Sequence, residues 1–212
     1  MITLIIARHG NTFETGQTPT RAGARTNLPL TAKGYEQAKK LGEYLAANSL
    51  LPDRVIAAPL IRTMETAKTA LISAGLTDIP VQSDGIFTEI DYGADENKTD
   101  EEVIARIGKQ ALDEWNLSAK VPDGWLVNPQ EIIQNWKDFA AALIKESESS
   151  TDDNDSVTLV VTSNGIARFA PYITGDFARF SAEHNIKIGT GCLCVFTFEG
   201  GRWICRDWNV KP

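Results

Sequence analysis

Two short motifs combine the residue types that phosphoryl chemistry requires. Arg8, His9 and Gly10 are consecutive and follow an apolar run, and Arg62 follows a second such run. Arginine presents a planar fork of donors to a phosphate, and glycine lets the backbone approach an oxyanion. A neutral imidazole has one unprotonated nitrogen that can attack phosphorus, while a backbone carbonyl typically fixes the other nitrogen. These residues predict an anion site with a histidine nucleophile.

The elements that must position these residues alternate between strands and helices. Three short apolar runs are typical of buried parallel strands: residues 2–7, 54–57 and 157–161. Thr31 offers an N-cap for a helix that continues to about Asn48, and a second helix is predicted over 60–73. Ligands bind beyond the carboxyl ends of the strands in such sheets, so the three strand ends are expected to meet at one site.

The second half of the chain is predicted to leave the sheet and return to it. We expect an irregular excursion at about 84–130, a helix over 129–145, a solvated acidic loop over 146–156, and a closing hairpin of strands 192–198 and 202–208. Alternating strands and helices imply a sheet that is covered on both faces. The predicted fold is a three-layer α/β/α sandwich with a mostly parallel sheet and a mixed edge. It forms a single domain over 1–212, with a lid-like insertion at about 84–130.

Composition narrows the class of partner. With 42% hydrophobic and 23% charged residues the chain is typical of a soluble globular protein, and its net charge of -7 argues against a nucleic-acid surface. A small-molecule phosphate ester is the expected partner. Because the overall charge is negative, each arginine near the candidate site is informative.

The cysteines favour a structural role. Cys192, Cys194 and Cys205 lie together near the end of the chain, without the ligand number and spacing of a zinc site. No metal or other cofactor is therefore expected. An odd cysteine count, no leader-like segment and no long apolar run predict a cytoplasmic protein that does not enter a membrane.

Several motifs in order resemble one known family. Residues 8–12 read RHGNT, similar to an R-H-G-[EN]-[ST] signature. The pieces that follow are residues 25–34 (RTNLPLTAKG), Gln37-Ala38, residues 58–63 (APLIRT) with Thr66-Ala67, and residues 87–93 (FTEIDYG), similar to L-x-E-x-x-x-G. The chain thereby resembles the phosphoglycerate mutase-like histidine phosphatases, closely over its first hundred residues and moderately over 157–168. The resemblance implies a phosphoglycerate mutase-like fold.

The resemblance also implies roles for the residues of the first motif. His9 would be the nucleophile that forms a phosphohistidine, and Arg8 and Arg62 would clamp the phosphoryl oxygens. Asn11 and Thr12 would add donors in the same pocket.

Glu89 would be the acid that protonates the leaving alcohol and then the base that activates water. A carboxyl with this role needs a raised pKa. The alternative is a surface carboxylate, since Asp91 lies nearby.

One position departs from the family pattern. The family usually has a second histidine where the third strand ends, but this turn reads Thr162-Ser163-Asn164-Gly165 and puts Ser163 in its place. A serine can donate a hydrogen bond to a phosphoryl oxygen but brings no positive charge, and Asn164 is a second neutral donor. The other histidine of the chain, His184, matches no catalytic position of the family, and the alternative that it reaches the pocket from a neighbouring loop stays open.

Further candidates lie in loops and in the insertion. Arg21 and Arg25 belong to a polar loop where solvated charge is the default, and Arg25 is the one we assign to substrate binding. Trp115 and Trp125 are the tryptophans of the insertion that could roof the site, although core packing is the commoner role.

The favoured function is a phosphatase that hydrolyses a small phosphorylated metabolite through a phosphohistidine intermediate. Two alternatives stay open: a phosphoglycerate mutase-type phosphoryl transfer, and a catalytically impaired protein that only binds phospho-ligands. The sequence does not identify the substrate, and it leaves a homo-oligomer open.

Overall fold

One mixed sheet organises the protein, whose computed structural model describes residues 1–149 and 155–212. Within these residues the strands are β1 (Ile2–Arg8), β2 (Arg54–Ala57), β3 (Val81–Ser83), β4 (Ser156–Thr162), β5 (Leu193–Glu199) and β6 (Arg202–Val210), in the spatial order β3-β2-β4-β1-β5-β6. The first four pair in parallel, whereas β5 runs antiparallel to β1 and to β6. The predicted mostly parallel sheet with a mixed edge is confirmed.

Helices connect the strands and cover the sheet. They are α1 (Ala32–Ala47), α2 (Ile61–Ser73), α3 (Asp100–Ile107), α4 (Lys109–Ser118), α5 (Pro129–Ser149), α6 (Asn164–Ala167) and α7 (Phe177–Glu183). Helix α1 begins as predicted, because the Thr31 side chain caps it by accepting a hydrogen bond from the Gly34 N–H at 3.1 Å. In the part of the chain that the structure describes, no helix is long and apolar enough to cross a membrane.

The side chains of β1 point alternately to the two faces of the sheet. Leu4 and Ile6 join a buried cluster with Trp136 of α5, whereas Ile5 belongs to a second cluster with Leu41 of α1. Successive side chains of a strand point to opposite faces, so a strand whose residues are all apolar must be covered twice. The three-layer α/β/α arrangement is therefore confirmed.

The closing hairpin follows from two glycines. Glu199 pairs with Arg202, which leaves Gly200 and Gly201 as a two-residue loop, with φ of 57° and 77°. A type I′ turn requires positive φ at both central positions, and glycine adopts these values without strain. Cys192 and Cys194 are buried in the cluster that contains Leu4, as expected for small core residues.

Other sequence predictions need correction. The segment at 84–130 is not merely irregular, since it contains α3 and α4, and Trp115 of α4 joins the same cluster as the sheet. The acidic loop predicted over 146–156 is shorter, because α5 continues to Ser149 and β4 begins at Ser156; residues 150–154 of that prediction lie outside the described residues.

Candidate active site

His9 lies at the carboxyl end of β1, in the middle of the sheet. Its backbone N–H donates to the Thr162 carbonyl of β4 at 3.0 Å, and its side chain is buried. Nδ1 lies 2.7 Å from the Gly10 carbonyl oxygen. Because a carbonyl can only accept, Nδ1 carries the proton and Nε2 is left unprotonated. The pKa of His9 is held well below its usual value by burial, and then by the charges of Arg62 and Arg8.

Two glycines let the loop after β1 approach α1 closely. A Cβ on Gly10 would lie 2.4 Å from the Gly34 carbonyl oxygen, and a Cβ on Gly34 would lie 2.3 Å from that of Asn11. The Gly10 N–H donates to Thr66 Oγ1 at 3.0 Å, and Thr66 donates to the Arg62 carbonyl at 2.7 Å. Thr66 thus joins the histidine loop to the helix that carries Arg62.

Arg62, in the first turn of α2, is completely buried. Its Nη1 donates to the Thr26 carbonyl at 2.6 Å, and Nη2 donates to the Ala22 and Gly23 carbonyls at 3.1 and 3.2 Å. Nε is buried and has no acceptor among the described residues. Burial lowers its pKa, but a guanidinium stays charged at neutral pH.

The Arg8 guanidinium, like that of Arg62, is held by a backbone carbonyl and has a nitrogen without an acceptor. Its Nη1 donates to the Ile188 carbonyl at 2.7 Å, and its buried Nε also has no acceptor among the described residues. Within residues 1–149 and 155–212 neither guanidinium forms an ion pair with a carboxylate. One buried and one half-buried positive charge, each with an unused donor, suit an anionic ligand.

Glu89 is a buried carboxyl that lines the same cleft as His9. Its Oε1 accepts from the Ile90 N–H at 2.9 Å, and Oε2 accepts from the Gly165 N–H at 3.3 Å. Burial raises its pKa above the ordinary value, although these N–H groups and the Arg62 charge oppose the shift. The alternative of an ordinary surface carboxylate is wrong, because the side chain is buried.

Asn11 is oriented by a small network. Thr190 Oγ1 donates to its side-chain oxygen, and Gln37 Oε1 accepts from its backbone N–H at 2.8 Å. Gln37 Nε2 in turn donates to the Thr190 carbonyl at 3.1 Å. With its oxygen engaged, Asn11 has its amide N–H groups left to donate, and both it and Thr12 line the cleft.

The two polar residues of the turn after β4 differ in whether they line the cleft. Asn164 lines the cleft, and its Oδ1 accepts from the Ile188 N–H at 2.9 Å. Ser163 is completely buried, and its Oγ has no hydrogen-bond partner among the described residues. Ser163 does not contribute to the lining of the cleft.

The cleft has a volume of about 680 Å³, the size of a small-molecule site. Of the sequence-predicted site residues it brings together Arg8, His9, Asn11, Thr12, Glu89 and Asn164, with Arg62 buried behind them.

Arg25 and His184 lie elsewhere. Arg25 forms an ion pair with Asp91 at 3.0 Å and does not line the cleft, whereas its neighbour Arg21 does. His184 ends α7 and packs on Phe180, with ring centroids 4.7 Å apart. The structure therefore does not bring Arg25 to the position that the sequence suggested.

The two tryptophans of the insertion differ. Trp115 lines the cleft and packs edge to face against Trp125, with centroids 5.3 Å apart. Trp125 Nε1 donates to Asp95 at 2.7 Å and lies behind Trp115. Trp115 thus forms a wall of the site, and both tryptophans belong to the core.

Sequence reasoning missed three cations of the cleft, Lys33, Arg168 and Lys187. Arg168 is buried, and its charge lies 4.0 Å from the centre of the Trp115 ring. The sequence signal for Arg168 was its position within the otherwise apolar run 166–171. An arginine is seldom fully buried unless it is paired.

Comparison with known proteins identifies relatives of the whole chain. The family model described as histidine phosphatase superfamily (branch 1) matches residues 4–211. A 2,3-bisphosphoglycerate-dependent phosphoglycerate mutase from Clavibacter sepedonicus is 32% identical over 208 residues, which cover 88% of this chain and 82% of the relative. A protein of the same name from Clavibacter michiganensis is 28% identical with the same coverage.

Solved structures share the fold at lower identity. A mycobacterial glucosyl-3-phosphoglycerate phosphatase has a TM-score of 0.80 and 19% identity, with 99% of each chain covered. The alpha-ribazole phosphatase from Shigella flexneri has a TM-score of 0.72 and 20% identity, with 99% of this chain and 96% of that chain covered.

Proposed function

Because the chain belongs to the histidine phosphatase superfamily, we propose that it hydrolyses a small phosphate monoester through a phosphohistidine on His9. One arrangement carries the proposal. A neutral imidazole with a free Nε2 lies beside two guanidiniums with unused donors, and a buried carboxyl with a raised pKa lines the same cleft.

The first step transfers the phosphoryl group to the protein. Nε2 of His9 attacks phosphorus while the bond from phosphorus to the ester oxygen breaks. Glu89, whose pKa is raised by burial, gives its proton to the leaving oxygen. Charge on the equatorial oxygens is stabilised by Arg8, which lines the cleft, and by the buried charge of Arg62 behind it; backbone carbonyls fix both guanidiniums before substrate arrives.

The second step returns the phosphoryl group to water. The Glu89 carboxylate takes a proton from a water molecule, whose oxygen attacks phosphorus as the bond to Nε2 breaks. Inorganic phosphate leaves, His9 is again neutral at Nε2, and Glu89 is again protonated. Each residue therefore ends the cycle as it began.

Further predicted site residues lie around His9, Glu89 and the two arginines. Asn11 and Thr12 would donate to the phosphoryl oxygens from the first loop, and Asn164 from the turn after β4. Ser163 would have to move to donate to substrate, because it does not line the cleft. For Arg25, a role with substrate would require the ion pair with Asp91 to open.

We further propose a single domain in which the segment at 84–130 acts as a lid-like insertion. Its helix α4 supplies Trp115 to the cleft wall. A cytoplasmic location is proposed as well, and it is supported by the free thiols of Cys192, Cys194 and Cys205.

A protein that only binds phospho-ligands would need the arginines but neither a histidine with a free Nε2 nor a buried carboxyl with a raised pKa. Both are present in the cleft, which favours turnover over binding. Phosphoryl transfer between positions of a phosphoglycerate is the second candidate, since the curated relatives at 28–32% identity bear the mutase name.

Hydrolysis of p-nitrophenyl phosphate and of a panel of phosphorylated metabolites tests the proposal, with His9→Ala as the control. We expect release of inorganic phosphate that His9→Ala abolishes. Activity no greater than that of His9→Ala, together with measurable binding of the esters, would overturn it. Formation of 2-phosphoglycerate from 3-phosphoglycerate, dependent on 2,3-bisphosphoglycerate and faster than hydrolysis, would identify the mutase instead.

A further inference from the structure

An irregular segment between α7 and β5 holds two polar side chains of the candidate site. In this α7–β5 segment, which comprises residues 185–191, the Ile188 carbonyl accepts from Arg8 Nη1 at 2.7 Å. The Ile188 N–H donates to Asn164 Oδ1 at 2.9 Å. One residue of the segment therefore orients two side chains that line the cleft.

The end of the same segment holds the loop that carries the proposed nucleophile. The Gly191 N–H donates to the His9 carbonyl at 3.1 Å, and Thr190 Oγ1 donates to the side-chain oxygen of Asn11. Because these contacts join the segment to several site residues, a shift of the segment would move the phosphate donors relative to the His9 imidazole. The geometry of the site therefore depends on the position of the α7–β5 segment.

The two halves of the segment are anchored differently. Ile186 and Ile188 are fully buried, so their side chains fix the first half in the core. Gly189 and Gly191 have no side chain to bury, and a Cβ on Gly189 would lie 2.9 Å from Cys192 Sγ. Hydrogen bonds to the backbone must therefore hold the second half of the segment.

Asn209 of β6 supplies one of these hydrogen bonds. Its Oδ1 accepts from the Gly189 N–H at 2.7 Å. The preceding residue, Trp208, donates through Nε1 to the Asn185 carbonyl at 2.8 Å. Two consecutive side chains of the last strand thus hold the α7–β5 segment at two points, and Asn209 itself does not line the cleft.

Strand β6 is irregular at these two residues. Successive side chains of a regular strand point to opposite faces of a sheet. Here Cys194 of β5 lies opposite both Trp208 and Asn209, which is a β-bulge, and Asn209 has a φ of 56°. Asparagine adopts this left-handed conformation more readily than most residues other than glycine, but still at a cost in free energy. A bulge next to a site commonly redirects a side chain, and here the redirected oxygen reaches Gly189.

We propose that Asn209 is a positioning residue for the phosphoryl site. Its side-chain oxygen holds Gly189, and the α7–β5 segment transmits this constraint to the side chains that line the cleft. This inference rests on the proposed function, because it assigns the phosphoryl group to Arg8 and its neighbours. Since Asn209 lies outside the cleft, its substitution changes the geometry of the site and leaves the chemical groups of the site unchanged.

Two substitutions separate the side-chain oxygen from the backbone conformation. Asn209→Gly removes the acceptor, and glycine adopts a φ of 56° without strain, so the strand should keep its course. Asn209→Asp retains an oxygen acceptor, and aspartate also tolerates this conformation. The matched control is Ser49→Gly, because Ser49 has the same φ of 56° in the connection between α1 and β2 and does not line the cleft.

We expect Asn209→Gly to lower kcat/KM for p-nitrophenyl phosphate by about three- to tenfold, the usual effect of losing one hydrogen bond. Asn209→Asp and Ser49→Gly should stay within about twofold of the wild type. Thermal melting checks that all three variants are folded. A loss in Asn209→Asp as large as that in Asn209→Gly, or no loss in either, would overturn the positioning role.

Amide exchange tests the contact itself. Hydrogen–deuterium exchange of the peptide that covers the α7–β5 segment should be faster in Asn209→Gly than in the wild type, because the Gly189 N–H loses its acceptor. Asn209→Asp should restore the slower exchange. Exchange at the same rate in Asn209→Gly and the wild type would show that Asn209 does not hold the segment.

Phosphate binding separates this inference from the proposed function. Calorimetric titration of inorganic phosphate needs no turnover, and Asn209→Gly should weaken the binding by a factor similar to its loss in kcat/KM, unlike Asn209→Asp and Ser49→Gly. If the wild type hydrolyses no ester but phosphate binding still follows the acceptor at position 209, the proposed function fails and the positioning role stands. Equal phosphate affinities in all four proteins would overturn the positioning role whether or not the wild type is an enzyme.

Discussion

The backbone N–H of Gly165 lies 3.3 Å from Oε2 of Glu89, and a Cβ on Gly165 would lie only 2.1 Å from Oε1 of the same carboxyl. The turn after β4 thus fixes the position of the proposed acid through a residue that has no side chain. At the other end of the carboxyl, the Ile90 N–H holds Oε1 at 2.9 Å. Any larger residue at 165 must displace Glu89.

Gly165→Ala therefore tests the placement of the acid without changing its chemistry. We expect kcat for an alkyl phosphate to fall by about 10²-fold, the scale of a displacement of roughly 1 Å in an active site. Gly85→Ala is the matched control, because a Cβ there meets nothing within 4 Å. Steady-state rates that are the same for both variants would contradict the proposed contact.

Glu89→Gln removes the proton donor and leaves the shape. Alkyl phosphates, whose leaving groups need protonation, should lose about 10²–10⁴ in kcat. p-Nitrophenyl phosphate should lose much less in its first step, since its leaving group departs as an anion. A control is Asp91→Asn, two residues away, which should change neither rate substantially. Equal losses in the rate of the first step on both substrates would show that Glu89 does not protonate the leaving group.

The same variant gives a prediction for stability. Burial raises the pKa of Glu89, so the folded state holds this proton more tightly than the unfolded state does. Its contribution to stability is present below the ordinary pKa of 4.5 and is lost as the pH rises through the raised pKa. The difference in melting temperature between Glu89→Gln and the wild type should therefore change in favour of the variant as the pH rises from 4.5 to 8, on top of a pH-independent loss of one acceptor for the two N–H groups. A difference that stays constant over this range, or changes in favour of the wild type, would contradict the direction of this shift.

Thr190→Val tests the network that orients Asn11. Valine keeps the shape of threonine but cannot donate to the Asn11 side-chain oxygen. Loss of one such hydrogen bond should lower kcat/KM by about two- to tenfold. Thr18→Val, at an exposed threonine of the same cleft, is the control. An unchanged kcat/KM in Thr190→Val would mean that Asn11 is held by its backbone alone.

The strand ends were predictable because their signals are local. The apolar run of β1 and the capping residue Thr31 fix β1 and α1 from nearby residues alone. Strand β3 was missed because it has three residues and two of them, Gln82 and Ser83, are exposed, which leaves no apolar pattern. Helix α3 did carry a signal, since Thr99 and Glu102 form a capping box.

The part of the cleft that contains Arg168 and Trp115 could not be predicted from local sequence signals. Arg168 meets the carbonyl of Trp115, which lies 53 residues away. Only the packing of α4 against the sheet brings them together. The positions of Arg21 and Arg25 were equally unpredictable: Arg21 lines the cleft and Arg25 does not. Which of two nearby loop arginines turns inward depends on the partner carboxylates Asp91 and Asp100, which the sequence pattern does not assign.

Direct observation of a phosphohistidine tests the central claim. Glu89→Gln protein should accept a phosphoryl group from p-nitrophenyl phosphate and release it slowly, because the base that activates water is absent. After a quench at alkaline pH, intact-mass spectrometry should show the gain of one phosphoryl group, which peptide mapping should place on His9 and which acid should remove. Absence of the adduct in repeated quenches, or an adduct on another residue that persists in His9→Ala, would contradict the account.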